Sequence, residues 1–172
     1  MSTLIRDTVS MLASTPVRWA ALAGIEPELL AREPAPGEWS ALHCLSHVVD
    51  TERSVFRARV LAILAGRDFA AFDPDADGSD TSGVSARALA GDFVRLRAAS
   101  LDTLAGITQA DLAKTAVHAE FGRVTMAELL NQVTAHDTMH LVQAERALMQ
   151  AFIPGSGPWR FYFGDHDVDA KP

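Results

Sequence analysis

The residues best suited to chemistry lie in the run Gln132-Val133-Thr134-Ala135-His136-Asp137-Thr138-Met139-His140-Leu141-Val142-Gln143. His136 and His140 are about one helical turn apart, so on a helix their rings stack on one face, close enough to share a metal ion. At 100° per residue, Leu129, Gln132, Val133, Gln143 and Ala147 fall within about 60° of His136. The pair therefore shares a stripe with apolar residues and does not face outward beside Arg146. Neutral imidazoles taken out of water need partners for their ring nitrogens. A metal ion, a water or a carboxylate would each serve.

A third histidine stands in a comparable setting. In Trp39-Ser40-Ala41-Leu42-His43-Cys44-Leu45-Ser46-His47-Val48-Val49-Asp50-Thr51-Glu52, Ser40, Thr51, Ser54 and Ala58 all lie within about 40° of His47 on the wheel. Leu42, Leu45, Val49, Phe56 and Val60 form a separate apolar stripe. A core face is filled by large side chains, whereas small residues around a histidine leave room for another ring, a water or a ligand. His47 with His136 and His140 would give three nitrogens and open coordination positions, the pattern of a catalytic and not a structural metal site. Imidazole-only ligation favours Zn, Ni, Cu or Fe over Mg or Ca. Asp50 and Asp137 are the nearest carboxylates in sequence but lie off the histidine faces, so they read as outer partners or surface charges. Gln143 shares the His136 face and could hold the far nitrogen of a histidine or touch a substrate.

Four long helices are needed to position these groups. The first spans about Thr3 to Ala23, with a kink or break expected near Ser14–Thr15 because Pro16 lacks the amide hydrogen and crowds the preceding turn. The second starts after the N-cap Ser40 and runs to about Ala65, ended by Gly66. A long acidic loop, Arg67 to Gly83, separates it from the third, about Ser85 to Leu104. Thr108 and Asp111 suggest a capped turn, and Ala116 to Val124 a small hairpin or extended excursion. Thr125 and Glu128 form a capping box opening the fourth helix, which runs to about Ala151 and stops at Pro154-Gly155. The pattern predicts an all-α, antiparallel four-helix bundle with one or more crossover connections. It reads as one domain, 1–172, with the bundle over about 3–151 and an aromatic tail, 152–172, packed on the domain or on a second subunit.

Composition narrows the function classes. With 15 basic against 22 acidic residues and a net charge of −7, the chain lacks the clustered cations of a nucleic-acid binder. No apolar run approaches the roughly 20 residues that span a bilayer, and the N-terminal segment, interrupted by Arg6 and Asp7, is not expected to act as a signal peptide. A single cysteine, Cys44, makes no internal disulfide. The expectation is a cytoplasmic protein acting on a small molecule, without nucleic-acid or membrane partners.

Taken together, Pro36-Gly37-Glu38-Trp39-Ser40, Leu45-Ser46-His47-Val48-Val49-Asp50-Thr51-Glu52, Gly122-Arg123-Val124-Thr125 and His136-Asp137-Thr138-Met139-His140-Leu141-Val142-Gln143 resemble the DinB-like superfamily. The resemblance runs from the first helix to the end of the fourth. It implies a four-helix bundle, in many members a homodimer, holding a divalent metal, usually Zn or Ni, on three histidines. Carried over, it assigns the ligands to His47, His136 and His140. It implies a metal-dependent hydrolase, or a thiol S-transferase using a low-molecular-weight thiol such as bacillithiol or mycothiol, or a mycothiol-dependent maleylpyruvate isomerase. His43 departs from the pattern, which more often has Glu or another polar residue there, and is expected at the rim. The aromatic tail lies outside the resemblance. The alternative is a non-catalytic metal- or ligand-binding bundle.

Other features have plainer readings. Asp73-Pro74-Asp75-Ala76-Asp77-Gly78 opens like a calcium loop, but Val84 stands where the bidentate Glu belongs, so a solvated connection is expected. Cys44 is expected to behave as a small buried hydrophobe. His118 and His166 are expected to be exposed, and Arg57 and Arg59 to sit on a solvated face.

Overall fold

Capping residues set where the helices begin. In a computed structural model describing residues 2–71, 81 and 83–170, the chain forms α1 (Thr3–Leu22), a single turn α2 (Pro27–Leu30), α3 (Ala41–Thr51), a π-helical segment (Glu52–Phe56), α4 (Arg57–Leu64), α5 (Ala86–Ala105), β1 (Thr115–His118), β2 (Gly122–Thr125) and α6 (Met126–Met149). Ser40 Oγ accepts the His43 backbone N–H at 3.2 Å and caps α3. At the start of α6 the capping box is closed in both directions, with Thr125 N–H donating to Glu128 Oε2 at 2.7 Å and Glu128 N–H to Thr125 Oγ1 at 3.1 Å. Gly66, at φ +64°, supplies the left-handed residue that stops α4. The excursion before α6 is an antiparallel hairpin, β1 with β2, in the register Thr115 opposite Thr125 and His118 opposite Gly122.

One expectation needs correction, and one helix holds a detail that the pattern does not show. Helix α1 continues through Pro16. Proline withholds the N–H that the Leu12 carbonyl would accept, but that carbonyl receives Arg97 Nη1–H at 3.0 Å and the Thr15 hydroxyl at 3.3 Å. The vacancy is filled from α5, so no break is required. The second long helix is not uniform either: the π segment interrupts it at Glu52–Phe56. A π turn holds more residues than an α turn, which resets the buried stripe while keeping Glu52 and Phe56 inside.

In the bundle α1 packs on α5 and α6, and α3 packs on the same two helices. Ion pairing of Arg18 with Glu145 and the Thr134–Thr8 hydrogen bond show α1 and α6 running the same way. One apolar cluster joins the end of α1 (Trp19), the starts of α3 and α5 (Leu45, Phe93) and the end of α6 (Leu148). The other joins the opposite ends, from Ile5 through Ile63 and Leu104 to Leu130. Two helices thus run each way, and the α4–α5 connection is the crossover that returns the chain along the bundle. Its residues 72–80 and 82, including the calcium-like stretch, lie outside the described residues.

The tail docks on the domain, one of the two expected placements, and does so through polar groups. Arg146 Nε and Gln150 Nε2 donate to the His166 carbonyl at 3.1 and 2.9 Å, and Arg160 pairs with buried Asp167 at 2.6 Å. These polar contacts hold the backbone, while Trp159, Phe161 and Tyr162 remain exposed. No helix among the described residues is long and apolar enough to cross a membrane.

Candidate metal centre

Helix α3 carries His47 and α6 carries His136 and His140, and their packing brings the three rings together. His136 Nε2 lies 3.1 Å from His47 Nε2 and 3.2 Å from His140 Nε2. One ligand nitrogen from each residue falls within 4.8 Å of the others. Nitrogens bound to one ion at about 2.1 Å in tetrahedral directions stand roughly 3.4 Å apart, so the trio fits a transition-metal ion with little movement. His140 Nδ1 lies 2.9 Å from Gln143 Oε1. An amide oxygen only accepts, so Nδ1 carries the proton and Nε2 turns its lone pair to the centre. Trp39 stacks on His140 at 5.7 Å and leans on His47 at 5.0 Å between ring centroids.

Burial first, and then the neighbouring imidazoles His140 and His136, push the His47 pKa down to about 4. Burial and His140 likewise take His136 to about 4, against a smaller opposing pull from Asp137. His140 is also lowered, mainly by burial. At neutral pH the rings are uncharged and their lone pairs available. An unfolded histidine titrates near 6.5, so between about pH 6.5 and 4 the unfolded chain takes up protons that folded His47 and His136 refuse. The metal-free protein should therefore lose several kcal/mol of stability as pH falls through that window, each tenfold displacement being worth about 1.4 kcal/mol. Chemical denaturation of chelator-treated protein at pH 7, 5.5 and 4.5 measures it, and a flat profile would contradict neutral buried rings. Gln143→Leu should weaken zinc affinity about 10–100-fold by removing the partner that sets the His140 tautomer, read by competition with a chromogenic chelator.

The histidines open onto a cavity of about 380 Å³ whose walls include Trp39, Val55, Leu129, Val133, Phe121 and Met139. At its base lies an ionic cluster that sequence reasoning missed. Arg97 forks onto Glu52 through Nε and Nη2, both at 3.0 Å, and onto Asp137 through Nη1 and Nη2, both at 3.1 Å. All three side chains are buried. The signal was present: Glu52 interrupts an apolar stripe between Val49 and Phe56, as Asp137 does between Val133 and Leu141, and Arg97 follows Phe93 on a buried face that continues through Ser100 to Leu104. Asp137 is thus no surface charge.

The remaining candidates divide. Asp50 pairs with Arg53 at 2.6 Å, away from the centre. His43 is held by Ser40 Oγ at 2.9 Å and Thr81 Oγ1 at 3.3 Å and does not line the cavity. Cys44 is fully buried, and burial pushes its thiol up to about 12, so it behaves as the expected hydrophobe. His166 and Arg57 are exposed. His118 corrects the expectation: it is buried and lines the cavity, because β1 folds it inward against Phe69 and Phe121. Arg59 also lines the cavity and is half-buried rather than solvated.

Residues 14–144, which include all three histidines and the Arg97 cluster, match the family model of the DinB superfamily. The chain belongs to the DinB superfamily. Its fold is also that of YfiT from Bacillus subtilis, described as a probable metal-dependent hydrolase with an unusual four-helix bundle topology. That match has a TM-score of 0.77 at 14% identity and covers 88% of this chain and 90% of the other. No curated protein matches this DinB-superfamily chain in sequence.

Proposed function

We propose that this DinB-superfamily protein is a metal-dependent enzyme acting on a small molecule, with His47, His136 and His140 as ligands of a divalent ion, zinc or nickel. The favoured reaction is S-transfer from a low-molecular-weight thiol. The observation that carries the reading is the convergence of three Nε2 atoms beside a largely apolar cavity. When bound, such an ion supplies Lewis acidity that brings the pKa of a thiol or water on it toward neutrality.

The chain's own groups divide the remaining work. The three imidazoles, neutral at pH 7, would hold the ion without offsetting its positive charge. Gln143 fixes the His140 ring, and Trp39 shields His140 and His47 from water. The apolar walls hold an electrophile. Both buried carboxylates at the cavity base, Glu52 and Asp137, are bound by Arg97, which disfavours either as a general base. A thiol activated by an ion needs no such base, and Cys44 is too deeply buried to be the sulfur. Hydrolysis is the second reading: YfiT is described as a probable metal-dependent hydrolase, and exposed Glu120 lines the cavity as a carboxylate free to assist water.

The test is consumption of 1-chloro-2,4-dinitrobenzene with a panel of thiols, bacillithiol and mycothiol included, beside hydrolysis of 4-nitrophenyl acetate without thiol. A thiol-dependent rate abolished by chelation and by His47→Ala supports S-transfer. A thiol-independent, chelator-sensitive rate selects hydrolysis. Rates indifferent to chelator and to His47 overturn both. A homodimer belongs to the same proposal, since Phe152, Trp159, Phe161 and Tyr162 offer exposed apolar surface; a monomeric mass by light scattering would remove it.

A further inference from the structure

The cavity that holds the three histidines also carries a cation that the proposed chemistry does not use. Among the described residues Arg59 in α4 makes one hydrogen bond, to the Ala70 carbonyl at 3.3 Å, and its guanidinium carbon lies 5.2 Å from the Phe69 ring centroid. Neither contact neutralises its charge, and it makes no ion pair with any carboxylate among the described residues. Arg97 differs: burial opposes its charge, but Asp137 and Glu52 overcome this and raise its pKa, whereas burial alone acts on Arg59 and lowers it. The charge of Arg59 is felt at His136 and at His118, placing it within reach of both the candidate centre and the hairpin.

His118 supplies a second donor. Its Nδ1 accepts the backbone N–H groups of Glu120 at 3.1 Å and Phe121 at 3.4 Å. The proton of the neutral ring therefore sits on Nε2. This nitrogen has no hydrogen-bond partner among the described residues, and His118 lines the cavity. The wall is stitched together: Val117 N–H donates to Asp68 Oδ1 at 2.8 Å, and Phe69 N–H to the Val117 carbonyl at 3.2 Å. Arg59 and His118 are thus held on one surface.

We propose that Arg59 and the Nε2–H of His118 form a carboxylate-binding subsite, so that the small molecule taken into the cavity carries an anionic carboxylate on an otherwise apolar body. One guanidinium and one neutral donor match a single negative charge. A dianionic phosphate is disfavoured by Glu120 at the same cavity and by the two carboxylates on the one Arg97. The proposal rests on the reading of this cavity as the substrate site, but its test requires neither turnover nor metal.

Calorimetric titration compares benzoate with its neutral isostere benzamide on zinc-loaded and on metal-stripped protein. Wild type should bind benzoate about tenfold tighter or more in both forms. Arg59→Gln should bring the two ligands to equal affinity while leaving benzamide unchanged, and Arg59→Lys should keep part of the preference as a point charge. Benzoate should also shift the His118 ring resonances in wild type. A preference that survives Arg59→Gln, or that disappears on stripping the metal, overturns the assignment: the first outcome puts the anion elsewhere, the second on the ion. Inorganic phosphate binding more tightly than benzoate overturns the carboxylate class. Absence of bound metal would sink the catalytic proposal and leave the metal-stripped titration to decide the subsite.

Discussion

Arg97→Leu is expected to destabilise the fold by about 3–5 kcal/mol, the range for removing one partner of a buried ionic cluster. The Arg97 side chain is 2% exposed and its partners Glu52 and Asp137 are 3% exposed. Besides the two carboxylates, Nη1 donates to the Leu12 carbonyl and to Thr15 Oγ1, both at 3.0 Å. One side chain therefore joins α1, the π segment and α6 from its seat on α5. Leucine would strand two carboxylates out of water and leave the Leu12 carbonyl, which Pro16 deprives of its usual donor, with the Thr15 hydroxyl alone. Urea denaturation measures the loss. The triple variant Glu52→Leu/Arg97→Met/Asp137→Leu should recover much of it, because apolar residues of similar volume often replace buried ion clusters without net cost. A single variant as stable as wild type would contradict the cluster's role.

His140→Ala is expected to take bound zinc or nickel from about one equivalent to less than about a tenth, and to abolish chelator-sensitive activity, since three protein ligands are the usual minimum for an open site. Elemental analysis after dialysis reads the first effect. A thermal readout is independent of turnover: metal at about 1,000 times its dissociation constant should stabilise wild type by about 4 kcal/mol, and the variant should gain little. The change leaves the Arg97 cluster intact, so the metal-free variant should still unfold cooperatively. Wild type and His140→Ala retaining the same trace of metal would sink the three-histidine proposal.

The readability of the sequence followed the range of the interactions. Capping at Ser40 and Thr125, the left-handed stop at Gly66 and the His136–His140 stacking involve residues three or four apart, where backbone geometry alone fixes proximity. The Ala116–Val124 excursion, which contains Gly122 and ends at the capped helix start, reads locally as a hairpin or an extended segment, and the structure makes it the hairpin. Pro16 misled because its local rule concerns an unsatisfied Leu12 carbonyl, and the donor that satisfies it comes from a residue 85 positions away. His118 misled for the same reason: its own segment says little about burial, which packing of Phe69 and α4 on β1 imposes.

By itself the sequence determined that helices form, where most of them start and stop, and that His47, His136 and His140 each sit on a face fit for a shared site. Family resemblance assigned those three as one ligand set. Only the tertiary structure brought His47 to 3.1 Å from His136, turned Glu52, Arg97 and Asp137 into one cluster, and set Arg59 and His118 into the wall of the same cavity. Helical periodicity fixes which way a side chain faces within its own helix. Distances between helices depend on how their stripes pack, and that is a property of the assembled core.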